Sequence, residues 1–103
     1  MTHPSLRLDD TVHQRVRLGI LAVLKEARRA DFAYLRDALD LTDGNLSRHI
    51  RVLEEAGLVQ VDKGFEGRRP RTWVEATRPG LDALAAEVQA LRELISRVDG
   101  GER

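Results

Sequence analysis

Residues 41–59 combine a charged face with an apolar face at helical spacing. Leu46, Ile50 and Leu53 recur every four and three residues, so they form one stripe of an α-helix. The opposite face is polar and carries Asp43, Gly44, Asn45, Ser47, Arg48 and Arg51. An arginine on such a helix can pair bidentately with guanine O6 and N7 in the DNA major groove, which admits a helix. The simpler alternative is a surface helix with two solvated arginines.

The ends of this helix are marked by its own residues. Thr42 is a suitable N-cap, and Asp43 puts negative charge where the helix dipole favours it. Gly57 supplies the left-handed residue that commonly ends a helix. At the N-terminus, Gly44 leaves room for close backbone approach, and Asn45 is suited to an adenine or a phosphate.

A second basic segment follows, where the apolar period changes from helical to alternating. The pattern predicts a β-hairpin with a long tip from about Lys63 to Pro70, with Gly64 and Gly67 giving that tip its backbone freedom. Residues 63–78 hold five basic side chains against two acidic ones. The cations predicted to contact a DNA backbone are Lys63, Arg68, Arg69 and Arg71.

The elements before residue 41 are helical. A first helix begins within residues 9–11 and runs to about Ala27, with an apolar stripe broad enough for burial on two sides. A short break at residues 28–31 leads into a second helix from Phe32 to Leu39. The turn at residues 40–42 then joins it to the third helix. Two helices connected so tightly form a helix-turn-helix.

The last helix carries a heptad seam. Thr77 is its predicted N-cap, Pro79 is tolerated in the first turn, and apolar residues recur at spacings of three and four from Leu81 to Val98. This seam extends past a small three-helix core, so we expect it to pair with a second chain, together with the first helix. The predicted interface residues are Val12, Val16, Leu84, Val88, Leu91, Ile95 and Val98.

Composition excludes several classes of protein. The chain has 103 residues, which fits one small domain, and no cysteine, which rules out disulfides and thiolate metal sites. Its net charge is zero, so only the charge distribution supports a nucleic-acid partner. We find no signal peptide, membrane span, phosphate loop or nucleophile motif, and expect a cytoplasmic protein that needs no cofactor and is not an enzyme.

Three further features have competing interpretations. His49 lies at the margin of the apolar stripe and is interpreted as a half-buried packing residue, with a DNA or sensor role as the alternative. Asp9, Asp10 and His13 have a spacing compatible with a metal site, but a helix cap and an exposed histidine are favoured because nothing completes the coordination. Trp73 is interpreted as a core anchor of the hairpin rather than a ligand platform.

The sequence SRHIRVLEEAGLV at Ser47–Val59 closely resembles the recognition helix and strand entry of bacterial MarR- and ArsR-type transcriptional regulators. ATRPG at Ala76–Gly80 is similar to the start of the next helix in MarR-type proteins. The resemblance implies homodimeric repressors that bind pseudo-palindromic operators. It implies base and phosphate contacts at Asn45, Ser47, Arg48 and Arg51, and wing contacts at Arg68, Arg69 and Arg71. Glu66-Gly67-Arg68 departs from the Asp-x-Arg of many MarR-type wings.

These observations predict a mainly α, α+β protein, a winged helix-turn-helix of three helices, a two-stranded wing and a C-terminal dimerisation helix. The predicted parts are a flexible arm at 1–8, a DNA-binding domain at 9–80, the dimerisation helix at 81–99 and a tail at 100–103. The predicted function is a homodimeric repressor that binds double-stranded DNA. The alternative is a winged-helix protein-interaction or assembly module, which has no need to align its arginines.

Overall fold

The computed structural model describes residues 3–100. A short 3₁₀ helix at Pro4–Arg7 precedes seven further elements, which confirm the predicted winged helix-turn-helix. These are helix α1 (Arg15–Ala27), strand β1 (Arg29–Asp31), helices α2 (Phe32–Ala38) and α3 (Asp43–Glu55), strands β2 (Val59–Glu66) and β3 (Arg69–Ala76), and helix α4 (Arg78–Val98). No helix among the described residues is long and apolar enough to cross a membrane.

Helix α3 has the boundaries that its sequence predicts. The Thr42 hydroxyl accepts the Asn45 N–H over 3.1 Å, which satisfies one free donor of the first turn. Leu46, Ile50 and Leu53 are buried against the other helices. At the other end Gly57 has a φ of 79°, and the Leu58 N–H reaches the Leu53 carbonyl over 2.9 Å, the 6→1 bond of a Schellman motif.

The sheet differs from the predicted hairpin in two respects. It has three antiparallel strands in the order β1-β3-β2, because the supposed break at residues 28–31 contains β1. The hairpin tip is also short: Glu66 pairs with Arg69, which leaves a two-residue turn in which Gly67 has a φ of 64°. Gly64 is an ordinary strand residue opposite Arg71, so only Gly67 supplies the predicted backbone freedom.

The first helix starts later than predicted. Residues 9–14 form a turn, in which Asp9 accepts the Thr11 N–H over 2.8 Å, and Gln14 is the N-cap of α1, accepting the Arg17 N–H over 2.9 Å. Val12 in this turn is completely buried in the chain's own core. Val12 thus exposes no surface in the single chain, and its place in a dimer interface stays a prediction.

The described part of the predicted arm, residues 3–8, lies against the last helix. Its 3₁₀ helix packs against α4, with Pro4 buried. Arg7 forms an ion pair with Glu93, which belongs to α4. The rotational restriction of proline and this ion pair hold the segment on the helix surface.

Helix α4 joins the hairpin at a very close approach. A Cβ on Gly80 would lie 2.0 Å from the Leu58 carbonyl oxygen, so only glycine fits there. The Leu58 carbonyl also accepts the Thr77 N–H over 3.0 Å. The first half of α4 covers the core with Leu84, which is buried in the single chain. Beyond it Ile95 and Val98 are 56% and 78% exposed.

Candidate nucleic-acid interface

The polar face of α3 is exposed to solvent at every predicted contact residue. These are Asp43, Gly44, Asn45, Ser47, Arg48 and Arg51. The Arg48 guanidinium donates a hydrogen bond to Asn45 Oδ1 over 3.0 Å. Two side chains suited to base edges are thus already associated on one turn of the helix.

Asp43 has a partner on α2 that the sequence did not predict. Arg36 of α2 donates hydrogen bonds to Asp43 Oδ1 over 2.9 Å and to Asp37 Oδ1 over 3.0 Å. The bond to Asp43, followed by that to Asp37, raises the pKa of Arg36 above its ordinary value. Asp43 therefore ties α3 to α2 across the turn. No local pattern announces this pair, because its members belong to different helices.

A groove of roughly 310 Å³ lies between α3 and the hairpin. Ser47 and Arg51 line it from the helix, and Lys63 and Thr72 line it from the strands, with Glu54 as the acidic member of the lining. Lys63 and Thr72 are cross-strand partners, so they share one face of the hairpin. The structure thereby brings residues from both predicted basic segments to one groove.

The tip of the wing is exposed and basic. Arg68 lies in the turn and Arg69 opens β3, both exposed to solvent. Phe65 is 74% exposed and lies on the same hairpin face as Lys63, two residues away. Phe65 is absent from the predicted site residues, although its alternation with Lys63 was the available signal.

Arg71 differs from the other wing cations because it is paired. It forms ion pairs with Asp31 and, over 2.6 Å, with Glu66. Asp31 also caps α2 by accepting the Tyr34 N–H over 2.7 Å. Arg71 thus connects the hairpin to the start of the helix-turn-helix, which suits a positioning residue rather than a free phosphate contact.

Trp73 is not the core anchor that the sequence predicts. It alternates with buried Val74 on β3, so it lies on the outer face of the sheet, where it is half-buried. The Arg29 guanidinium lies 4.5 Å from its ring centroid and that of Arg71 lies 5.8 Å away, both in cation–π range. The ring therefore stiffens the root of the wing from outside.

The family model that matches residues 16–95, most of the chain, is described as a winged helix DNA-binding domain. The chain belongs to this family. This winged helix domain is 34% identical over 84 residues to an uncharacterized protein of Methanocaldococcus jannaschii. The matched residues make up 82% of this chain and 91% of that protein.

Solved structures agree with this assignment. The transcriptional regulator homologue protein from Pyrococcus horikoshii OT3 is 42% identical, with a TM-score of 0.82 over 86% of this chain and 88% of that one. The M. tuberculosis regulator MosR, solved in complex with DNA, is 23% identical, with a TM-score of 0.69 over 87% of this chain and 64% of that one, a likeness of fold alone. A MarR family regulator from Neisseria meningitidis, 18% identical with a TM-score of 0.59 over 94% of this chain and 64% of that one, shares the fold alone. The family match confirms the predicted resemblance to winged helix regulators.

In this winged helix domain His49 is a half-buried residue of α3 that faces α1. Its Nδ1 lies 3.1 Å from Arg17 Nη1. Burial, followed by the positive charges of Arg17 and Arg48, lowers the pKa of His49 below 6.5. The packing role predicted for His49 therefore includes a specific polar partner that periodicity cannot show.

His13 and the backbone of Asp9 both contact Glu87 of α4. His13 Nδ1 lies 2.6 Å from Glu87 Oε2, and Glu87 Oε1 accepts the Asp9 N–H over 3.0 Å. Glu87 is buried on α4. Among residues 3–100 no group of three His, Cys, Asp or Glu side chains is placed to hold a metal ion.

Proposed function

We propose that this winged helix domain is a sequence-specific transcriptional repressor that binds a pseudo-palindromic operator in double-stranded DNA as a homodimer. The observation that carries the proposal is the convergence of exposed cations from two elements. Arg51 and Lys63 line one groove, and Arg48 lies one helical turn before Arg51. Arg68 and Arg69 stand exposed at the tip of the same hairpin.

The cations of the helix and those of the wing are suited to different parts of DNA. Arg48 and Arg51 lie on a rigid helix, so they are suited to base edges, where fixed geometry gives discrimination. Lys63, Arg68 and Arg69 are suited to phosphates, which give affinity without sequence information. Membership of a DNA-binding family and the MosR complex with DNA support this reading. Because acidic residues elsewhere balance the total, a neutral chain is compatible with a basic face.

The dimer is proposed from the distal half of α4. Ile95 and Val98 continue the heptad seam, and both are largely exposed in the single chain. Pairing them with a second copy stabilises the dimer by about 25 cal/mol per Å² of apolar surface removed from water. A two-fold dimer also sets two recognition helices about 34–36 Å apart, one turn of B-DNA, and so requires a pseudo-palindromic site.

Selection of bound duplexes from a random-sequence library tests the DNA proposal. We expect the wild type to enrich one sequence. Arg48→Ala and Arg51→Ala should each weaken binding to it by about 1–3 kcal/mol while leaving the circular dichroism spectrum unchanged. Failure to enrich any duplex would favour the protein-interaction module instead. Placing the recovered operator over a promoter then distinguishes repression from activation.

Sedimentation equilibrium at micromolar concentration tests the dimer. We expect twice the chain mass for the wild type and the chain mass for the double variant Ile95→Asp, Val98→Asp. Ser96→Asp, which adds one charge at an exposed neighbouring position, is the matched control and should remain dimeric. A monomeric wild type contradicts the dimer and leaves the DNA proposal to be judged separately.

A further inference from the structure

Arg17 of α1 holds three acceptors, none of which is a carboxylate. Its Nε donates to the Thr11 carbonyl over 2.6 Å, its Nη2 donates to the Asp10 carbonyl over 3.3 Å, and its Nη1 faces His49 Nδ1 at 3.1 Å. Within residues 3–100, Arg17 has no ion-pair partner. All three nitrogens of its guanidinium therefore take part in connecting the turn at residues 9–14 to the recognition helix α3.

The donor and acceptor roles in this contact have one solution. A guanidinium has only donors, so His49 Nδ1 must accept, and the imidazole is neutral with its hydrogen on Nε2. Protonation at Nδ1 replaces the acceptor by a donor and places two positive groups face to face. The contact therefore exists only with the neutral ring.

We propose that Arg17 is a positioning residue that fixes the recognition helix through neutral His49, so that discrimination between operator and other DNA depends on the protonation of His49. The proposal rests on the proposed function, because it concerns the same DNA-reading helix. His49 directly follows Arg48 in α3, and Arg51 lies two residues beyond. A shift of the helix at His49 moves both arginines relative to the base edges.

The other side of the contact is firmly anchored. The turn that Arg17 grips is itself bound to α4, since buried Glu87 accepts the Asp9 N–H and faces His13. A polar chain therefore runs from α4 through the turn and Arg17 to α3. Releasing Arg17 from His49 therefore removes a polar contact that positions α3, while the buried Leu46, Ile50 and Leu53 still hold the helix in the core.

The direction of the pH effect follows from the groups around His49. The charges acting on it are those of Arg17 on α1 and Arg48 on α3, while the turn contributes backbone carbonyls to Arg17. Together with burial they hold the pKa of His49 below 6.5. The stabilisation that the neutral His49 ring gives to its contact with Arg17 is complete above pH 6.5. It is lost as the pH falls through the lower pKa that His49 has in the folded protein. Protonation also adds positive charge, which strengthens binding to any DNA.

The decisive measurement is the ratio of affinities for the selected operator and a scrambled duplex of equal length. We expect the wild-type ratio to fall as the pH is lowered from 7.5 through the pKa of His49 that NMR determines, while affinity for the scrambled duplex rises. His49→Leu should lower the ratio about threefold to thirtyfold at pH 7.5. His49→Asn presents a non-titrating acceptor near the Nδ1 position, so it should retain the ratio and lose its pH dependence. His3→Asn removes another imidazole as control.

A second measurement needs no DNA. Imidazole NMR of the wild type should show His49 as the Nε2–H tautomer with a depressed pKa, and Arg17→Met should raise that pKa towards 6.5. An equal His49 pKa in both proteins, or a His49→Leu variant that discriminates as well as the wild type, overturns the proposal. Absence of wild-type binding to any duplex instead overturns the proposed function, and the NMR result still decides the Arg17–His49 contact.

Discussion

The recognition helix and the wing both expose arginines, but the parts that carry those arginines are held by different forces. Helix α3 is anchored by Leu46, Ile50 and Leu53, which are buried, and full burial of such a side chain contributes about 1.5–3 kcal/mol. The hairpin also has buried Val59 and Val74 at its root, but its tip at residues 65–70 is wholly exposed, and Arg71 beside the tip is held by partly exposed ion pairs that contribute only about 0–1 kcal/mol each.

This difference matches the two tasks proposed for these surfaces. Base reading requires fixed geometry, and apolar burial is insensitive to salt. Phosphate contact tolerates adjustment, and a wing tip that buries no side chain can adapt to the backbone that it meets. The comparison therefore predicts that perturbations of α3 act on stability and specificity, whereas perturbations of the wing act on affinity and salt dependence.

The largest effect is expected from removing an anchor of α3. Leu53 is fully buried, so Leu53→Ala should lower the free energy of unfolding by about 2–5 kcal/mol through lost burial and a residual cavity. Phe65→Ala, which removes an exposed wing side chain, should stay within about 0.5 kcal/mol of the wild type. Urea denaturation measures both, and equal losses would remove the distinction between helix and wing.

The second effect concerns the wing tip. Replacing Arg68 and Arg69 by alanine should weaken binding to operator and scrambled duplexes alike. Each lost phosphate contact reduces the slope of log K against log salt by about 0.9, so a dimer that loses four contacts changes by about 3.6. Titrations at several salt concentrations measure this slope. Should the slope stay unchanged, these arginines do not contact DNA.

Local features of the sequence predicted α3, whereas elements that depend on contacts between distant residues were not predicted. Thr42, Gly57 and the leucine stripe act within one helix, so their spacing is sufficient. Strand β1 has only three residues, and it exists because β3 pairs with it from more than forty residues away. The start of α1 was misplaced because Asp9 caps a turn, a role that the same residue type also plays at helix ends.

The site shows the same division between local and distant information. The exposed face of α3 followed from helical periodicity alone. The role of Arg71 did not, because its partner Asp31 lies forty residues earlier. For the same reason Arg17 and His49, thirty-two residues apart, gave no signal as a pair. Sequence spacing places a side chain on a face, and tertiary contact decides what that side chain holds.

The third effect tests the ion pairs at the root of the wing. Arg71→Gln removes the contacts with Asp31 and Glu66, so it should lower the free energy of unfolding by about 1 kcal/mol at low salt. Because salt screens such pairs, the loss should shrink in high salt. Arg78→Gln breaks an exposed pair with Asp82 within α4 and is the control, with no measurable change expected. A salt-independent loss at Arg71 would point to packing against Trp73 instead.

The smallest effect compares one glycine from each region. A Cβ on Gly44 in α3 or on Gly64 in β2 would meet nothing within 4 Å, and neither residue has a positive φ. Alanine at either position should therefore raise the free energy of unfolding, by up to about 1 kcal/mol, since glycine loses more backbone freedom on folding.

Only Gly44 lies in the first turn of the recognition helix, where a phosphate can approach the backbone N–H groups. We therefore expect Gly44→Ala to weaken operator binding by less than about 1 kcal/mol and Gly64→Ala to leave it unchanged. Fluorescence anisotropy on the operator duplex measures both, and an unaltered affinity for Gly44→Ala would mean that DNA does not approach the N-terminus of α3 closely.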